Sequence, residues 1–133
     1  MLAAVSSTKT KADPVAEWQQ MNCLHAAIQT ALDRELRASH ELSAVEYEVL
    51  AKLSQCDCDN QKTRVSELAD LLRLQQSTAS RVVARLEQDG LAERAMCSDD
   101  RRGIFVAITD AGRERAAAAE PTYRAVLEAK LSG

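Results

Sequence analysis

The chain is poor in aromatics, with one Trp, two Tyr and one Phe in 133 residues. A core of this size must then be built mostly from Ala, Leu and Val, which favours helices and argues against an all-β sandwich. Four Gly and two Pro exclude collagen-like and low-complexity chains. No apolar run approaches the ~18–20 residues of a membrane span. Met1 to Val5 is apolar but carries no basic segment, so no signal peptide is read there and the expected location is the cytoplasm. There is no surplus of positive charge either. The net charge is −3, so a nucleic-acid binder must concentrate its cations locally. The four cysteines (Cys23, Cys56, Cys58, Cys97) then face a reducing compartment, where structural disulfides are rare.

What is present is helical periodicity. Residues 1–12 have no period and read as a tail, leaving 13–133 as a single domain. Asp13 and Pro14 form a cap and first-turn pair. Trp18, Met21, His25, Ile28, Leu32 and Leu36 then recur at steps of three and four, predicting a helix over about 14–39. It is long for a monomeric domain, so part of its apolar face is expected to meet a second chain. Ser43 to Glu46 reads as a capping box opening a second helix to about Ser54. Gln55 to Lys62 is polar and loop-like, and Thr63 to Val65 is a short extended candidate. Ser66 is the expected cap of a third helix carrying Leu68, Ala69 and Leu72. Leu74 to Gln76 breaks the chain before a fourth helix, from about Ser77 to Gln88, ended by Asp89-Gly90.

The period then changes to two. Leu91 to Met96 and 104–108 read as strands, joined by a charged turn over 98–103. Thr109-Asp110 caps an Ala-rich helix expected to kink or restart at Pro121. The fold class is mainly α (α+β), a winged helix-turn-helix over about 63–109 between long helices over about 14–39 and 110–131.

The fourth helix carries the chemistry. With Ala79, Val82, Val83 and Leu86 turned inward, its opposite face presents Ser77, Arg81, Ala84, Arg85 and Gln88, with Thr78 and Ser80 at the borders and Gln76 at its start. From Gln75 to Leu86 there are two arginines and no acid. Small donors allow close approach to a duplex, and guanidinium forks can chelate guanine or grip phosphate. Arg101 and Arg102 lie where a hairpin would reach an adjacent minor groove, and Asp100 can brace that turn. The bland alternatives are a solvated helix face and a self-neutralising turn. From Arg64 to Arg102 seven arginines balance seven acids, so any positive field comes from arrangement and not from surplus.

Four motifs in this order resemble the MarR family of bacterial transcription regulators: Ser77 to Arg81, Leu86 to Leu91, Asp100-Arg101-Arg102, and Ile108 to Gly112. The resemblance implies a homodimer held by the first and last helices and a double-stranded, pseudo-palindromic DNA operator. It places Ser77, Thr78, Ser80, Arg81 and Arg85 on the recognition helix, Arg101 and Arg102 on the wing, and Asp100 on its brace. Gln75 stands where the family often has Ser, and Gln caps poorly, so the helix is expected to begin later, at Ser77. Relatives take small aromatic acids or phenols in a cleft, and His25, Gln29 and Tyr47 are the candidates here.

Cys23 is similar in place to a peroxide-sensing thiol of the family, although the tyrosines that tune such a sensor are missing nearby. Cys97, just before the hairpin tip, is the other redox candidate. Cys56-Asp57-Cys58-Asp59 lacks a second ligand pair for zinc and reads as a polar loop. Neither a metal nor a cofactor is expected. An enzyme is disfavoured because Gly-rich phosphate loops, Gly-x-Ser-x-Gly and His-Glu-x-x-His are missing. A winged-helix interaction module without DNA binding, or a cysteine-based redox sensor variant, are the remaining alternatives.

Overall fold

The computed structural model describes residues 13–56, 63–97 and 100–132, with the backbone alone for Cys56, 95–97 and 100–104. Helix α1 spans Pro14–His40. The Asp13 carboxylate accepts from the Val15 N–H at 3.1 Å, and Pro14 sits at the first helical position, where its missing donor costs nothing. The two halves of the helix differ. Ala31, Leu32 and Leu36 are buried, whereas every residue from Pro14 to Ala27 is exposed. The apolar stripe read from the sequence is therefore covered only from Ile28 onward.

Helix α2 spans Ala44–Cys56. Its start is held by the predicted reciprocal pair: Ser43 Oγ accepts from the Glu46 N–H at 3.1 Å, and Glu46 Oε1 accepts from the Ser43 N–H at 2.8 Å. Asp33 of α1 adds a third acceptor, taking the Ala44 N–H at 2.7 Å. Three of the donors at the helix start are thus satisfied, one of them by a carboxylate from another helix.

Strand β1 is Thr63–Arg64 and leads directly into α3, Val65–Leu72. The expected Ser66 cap is incorrect. Arg64 occupies the cap position, its N–H is taken by Glu67 Oε1 at 3.0 Å, and Ser66 lies inside the first turn. Because the strand runs into the helix without a loop, the last strand residue must serve as the cap. Arg73 takes the left-handed conformation (φ 58°) that reverses the chain, and the Leu74 N–H closes onto the Ala69 carbonyl at 2.8 Å. Helix α4 spans Gln76–Gln88. Its end is a Schellman motif: the Gly90 and Leu91 N–H groups donate to the Glu87 and Leu86 carbonyls at 3.0 and 2.9 Å. Gly90 has φ +76°, which glycine adopts without strain.

Strands β2, Ala92–Cys97, and β3, Asp100–Ile108, complete an antiparallel sheet of order β1-β3-β2. The predicted charged turn over 98–103 is too long, because β3 begins at Asp100, opposite Cys97, with an irregular register between Ala95 and Cys97. Ladder bonds between backbones form without an apolar alternation to announce them.

Helix α5 spans Asp110–Leu131, capped by Thr109, whose Oγ1 accepts from the Gly112 N–H at 3.0 Å. It does not restart at Pro121. That proline and Ala117, whose carbonyl loses a donor, are both exposed, so water can satisfy the orphan group. The core is almost wholly aliphatic, as the composition requires. Leu32, Leu36, Leu50, Leu68, Val83, Leu86 and Val106 come from five elements and are all at most 2% exposed.

Candidate nucleic-acid interface

Helix α4 places the candidate residues on one outward surface. Ala79, Val83 and Leu86 are buried, and Val82 is half-buried. Gln76, Ser77, Arg81, Ala84, Arg85 and Gln88 are exposed, with Thr78 and Ser80 half-buried at the margin. The helix starts at Gln76, not at Ser77. Gln75 caps it with an extended backbone (φ −70°, ψ 150°) and no side-chain bond. An extended residue whose carbonyl takes the Ala79 N–H at 2.9 Å suffices to begin the turn. The first turn therefore keeps backbone N–H groups free of a side-chain cap, next to Gln76 and Ser77.

A shallow groove of about 770 Å³ runs along this surface. Thr78, Arg81 and Arg85 line it from α4, and Glu46 faces it from α2. Arg81 and Arg85 are one turn apart and so project from the same side. Glu87 is the only acid on α4. Its Oε1 lies 3.2 Å from the Nε of Arg94 on β2, and Arg94 Nη2 also donates to the Ser80 carbonyl at 3.4 Å. Sequence reading missed Arg94. The available signal was register: Arg94 pairs with Val106 and shares the parity of buried Ala92, so it faces the helix.

Residues 42–104 match the family model described as MarR family. They form a MarR-family domain. Sco3205, a MarR family transcriptional regulator from Streptomyces coelicolor solved in complex with DNA, is 29% identical over 86% of this chain and 71% of its own, with a TM-score of 0.78. AbsC, a MarR family regulator from the same organism, is 26% identical over 86% and 76%, with a TM-score of 0.75. The transcriptional regulator BldR from Sulfolobus solfataricus is 25% identical over 91% and 86%, with a TM-score of 0.73. No curated protein matches the chain.

In the MarR-family domain the hairpin of β2 and β3 occupies the place of the wing. Asp100, Arg101 and Arg102 belong to β3, but their side chains, like that of Cys97, lie outside the described residues. The Cys56-to-Asp59 loop lies outside them too, apart from the helical backbone of Cys56. Cys23 is exposed on the first half of α1. Among the described residues, no group of three or more His, Cys, Asp or Glu could hold a metal ion, and no helix is long and apolar enough to cross a membrane.

The three cleft candidates do not come together. A cavity of about 450 Å³ opens between α2 and α5, and Tyr47 lines it, whereas His25 and Gln29 do not. His25 is exposed, and Gln29 is half-buried on α1. Tyr123 is the residue that sequence reading passed over. Its ring lies 4.5 Å from that of Tyr47, and its hydroxyl donates to Glu48 Oε2 at 2.8 Å. Burial, and then this bond to Glu48, push the Tyr123 phenol well above its ordinary range. Burial, followed by the nearby Glu120, also raises Tyr47. Both rings stay protonated at neutral pH. Arg124 closes on Glu120 at 2.6 Å at the rim, and Lys52 adds a second cation.

Proposed function

We propose that this chain is a homodimeric, sequence-specific repressor of transcription that leaves a pseudo-palindromic operator when a small-molecule or oxidant signal arrives. The observation that carries the reading is the outward surface of α4. Two arginines one turn apart flank small residues, and the only acid on the helix is already paired. Such a face fits a major groove, with Arg81 and Arg85 for base edges or phosphates and Gln76, Ser77, Thr78 and Ser80 for close polar contacts. Arg101 and Arg102 are assigned to the neighbouring minor groove, with Asp100 as the brace. The 29% identity to a regulator solved in complex with DNA supports the binding of DNA.

Dimerisation is supported by the first half of α1. Val15, Trp18, Met21 and Leu24 are 46–60% exposed there. An apolar row of this kind at the start of a long helix is costly in water and suits a second copy. Two recognition helices ~34 Å apart would then enter successive major grooves. A coupling of only ~1–3 kcal/mol between effector and DNA would change operator affinity about 5–150-fold. The Tyr47–Tyr123 wall, with Lys52 and Arg124 at its edge, suits a small aromatic acid or phenol.

The test is selection of genomic fragments by the full chain, followed by fluorescence anisotropy at two salt concentrations. A preferred fragment and a steep fall of affinity with salt are expected. Equal binding to all fragments, or none at low salt, would overturn the reading.

A further inference from the structure

Arg94 lies on the same face of β2 as buried Ala92, at an exposed position beside α4. Its planar head reaches α4 and meets two acceptors two turns apart, the Glu87 carboxylate at 3.2 Å and the Ser80 carbonyl at 3.4 Å. Both are within reach of one guanidinium because helix carbonyls point toward the C-terminus while side chains lean back toward the N-terminus. The bond to Ser80 is to the backbone, so it fixes the helix body and not merely a side chain.

We infer that Arg94 is a specificity-determining positioning residue: it locks the base of the hairpin to the recognition helix, so that the two DNA-contacting elements are presented at one fixed separation. This rests on the DNA-binding reading above. Two consequences follow from the geometry. The lock makes discrimination between sequences depend on a residue that need not touch a base, because a helix free to shift against the hairpin can satisfy wrong sites as well as right ones. It also neutralises Glu87, which would otherwise set an unpaired carboxylate beside Arg85 and the DNA phosphates. A lysine cannot replace it, since a single ammonium lacks the rigid fork that serves both acceptors.

The experiment measures, by anisotropy with the full chain, the ratio of affinities for a genomic fragment that the wild type selects and for sheared genomic DNA. Arg94→Met should lower this ratio about tenfold, as expected when coupled elements are unlinked. Arg94→Lys, which keeps the charge, should also lower it several-fold. The charge-balanced double variant Arg94→Met/Glu87→Gln should recover affinity for sheared DNA without recovering the ratio. Melting temperatures of all variants are recorded beside the ratio. Should Arg94→Met fail to fold, Glu87→Gln, an isosteric change at a partly exposed position, carries the test by lowering the ratio while tightening sheared DNA. An unchanged ratio in these variants overturns the inference, as does its full recovery in Arg94→Lys or the double variant, since charge alone would then explain Arg94. If the wild type itself prefers no fragment, it is the DNA-binding reading that fails.

Discussion

Replacing Gly112 by alanine sets helix propensity against packing. Gly112 lies in the first turn of α5, and propensity alone would make alanine more stable by about 1 kcal/mol. The structure leaves no room for the methyl group. A Cβ at this position would collide with the Leu91 carbonyl oxygen and lie 2.8 Å from Ile108 Cγ1. The carbonyl cannot swing aside cheaply, because it accepts the Thr109 N–H at 3.1 Å. Overpacking costs about 1–3 kcal/mol, and losing the Leu91–Thr109 bond adds about 1 kcal/mol. A clash against backbone belongs at the upper end, so Gly112→Ala should destabilise by about 2–3 kcal/mol net of propensity, lowering the melting point by roughly 6–12 °C. Thermal unfolding by circular dichroism at one fixed protein concentration reads this directly. Gly90→Ala is the matched control. It has φ +76° and no neighbour within 4 Å, so it should lose only the left-handed strain of about 1 kcal/mol. If Gly112→Ala melts at or above the wild-type temperature, the close seating of α5 on the turn after α4 is wrong.

Other perturbations address the surfaces. Arg85→Ala and Arg81→Ala should each weaken binding to a selected fragment by about 1–3 kcal/mol with little change in melting, measured by anisotropy; no loss in either would displace the reading surface from α4. Trp18→Glu should shift the chain toward monomer in light scattering, weakening association by about 2–3 kcal/mol per site; an unaltered mass at low concentration would move the interface elsewhere. Tyr123 has a phenol pKa raised in the fold above its ordinary 10.0, so its contribution is fully present below about pH 10 and is lost as pH rises through the higher folded value. Urea unfolding from pH 9 to pH 11 should therefore show a smaller loss of stability for Tyr123→Phe than for the wild type, and parallel curves would show that burial and the Glu48 bond do not raise the phenol.

Local physics was legible in the residues alone. The Ser43–Glu46 box, the Asp13-Pro14 start, the Asp89-Gly90 stop and the inward set Ala79, Val83 and Leu86 depend on neighbours within one or two turns, and periodicity and capping report those. Long-range partners decided the rest. Whether the stripe on α1 is covered depends on where α5 and α2 end, which no period encodes, and only its second half is packed. Pro121 leaves α5 unbroken because the orphaned carbonyl happens to face water. Tyr47 found Tyr123 across 76 positions of chain, while His25 stayed outside the cavity. Arg94 meets α4 only because strand register puts it on the face of β2 beside that helix. The sequence by itself determined which elements form and which face of each is apolar, since both are set by contacts close along the chain. Tertiary structure alone decided which polar groups meet and which apolar faces stay uncovered, since such pairs come together only when distant segments pack.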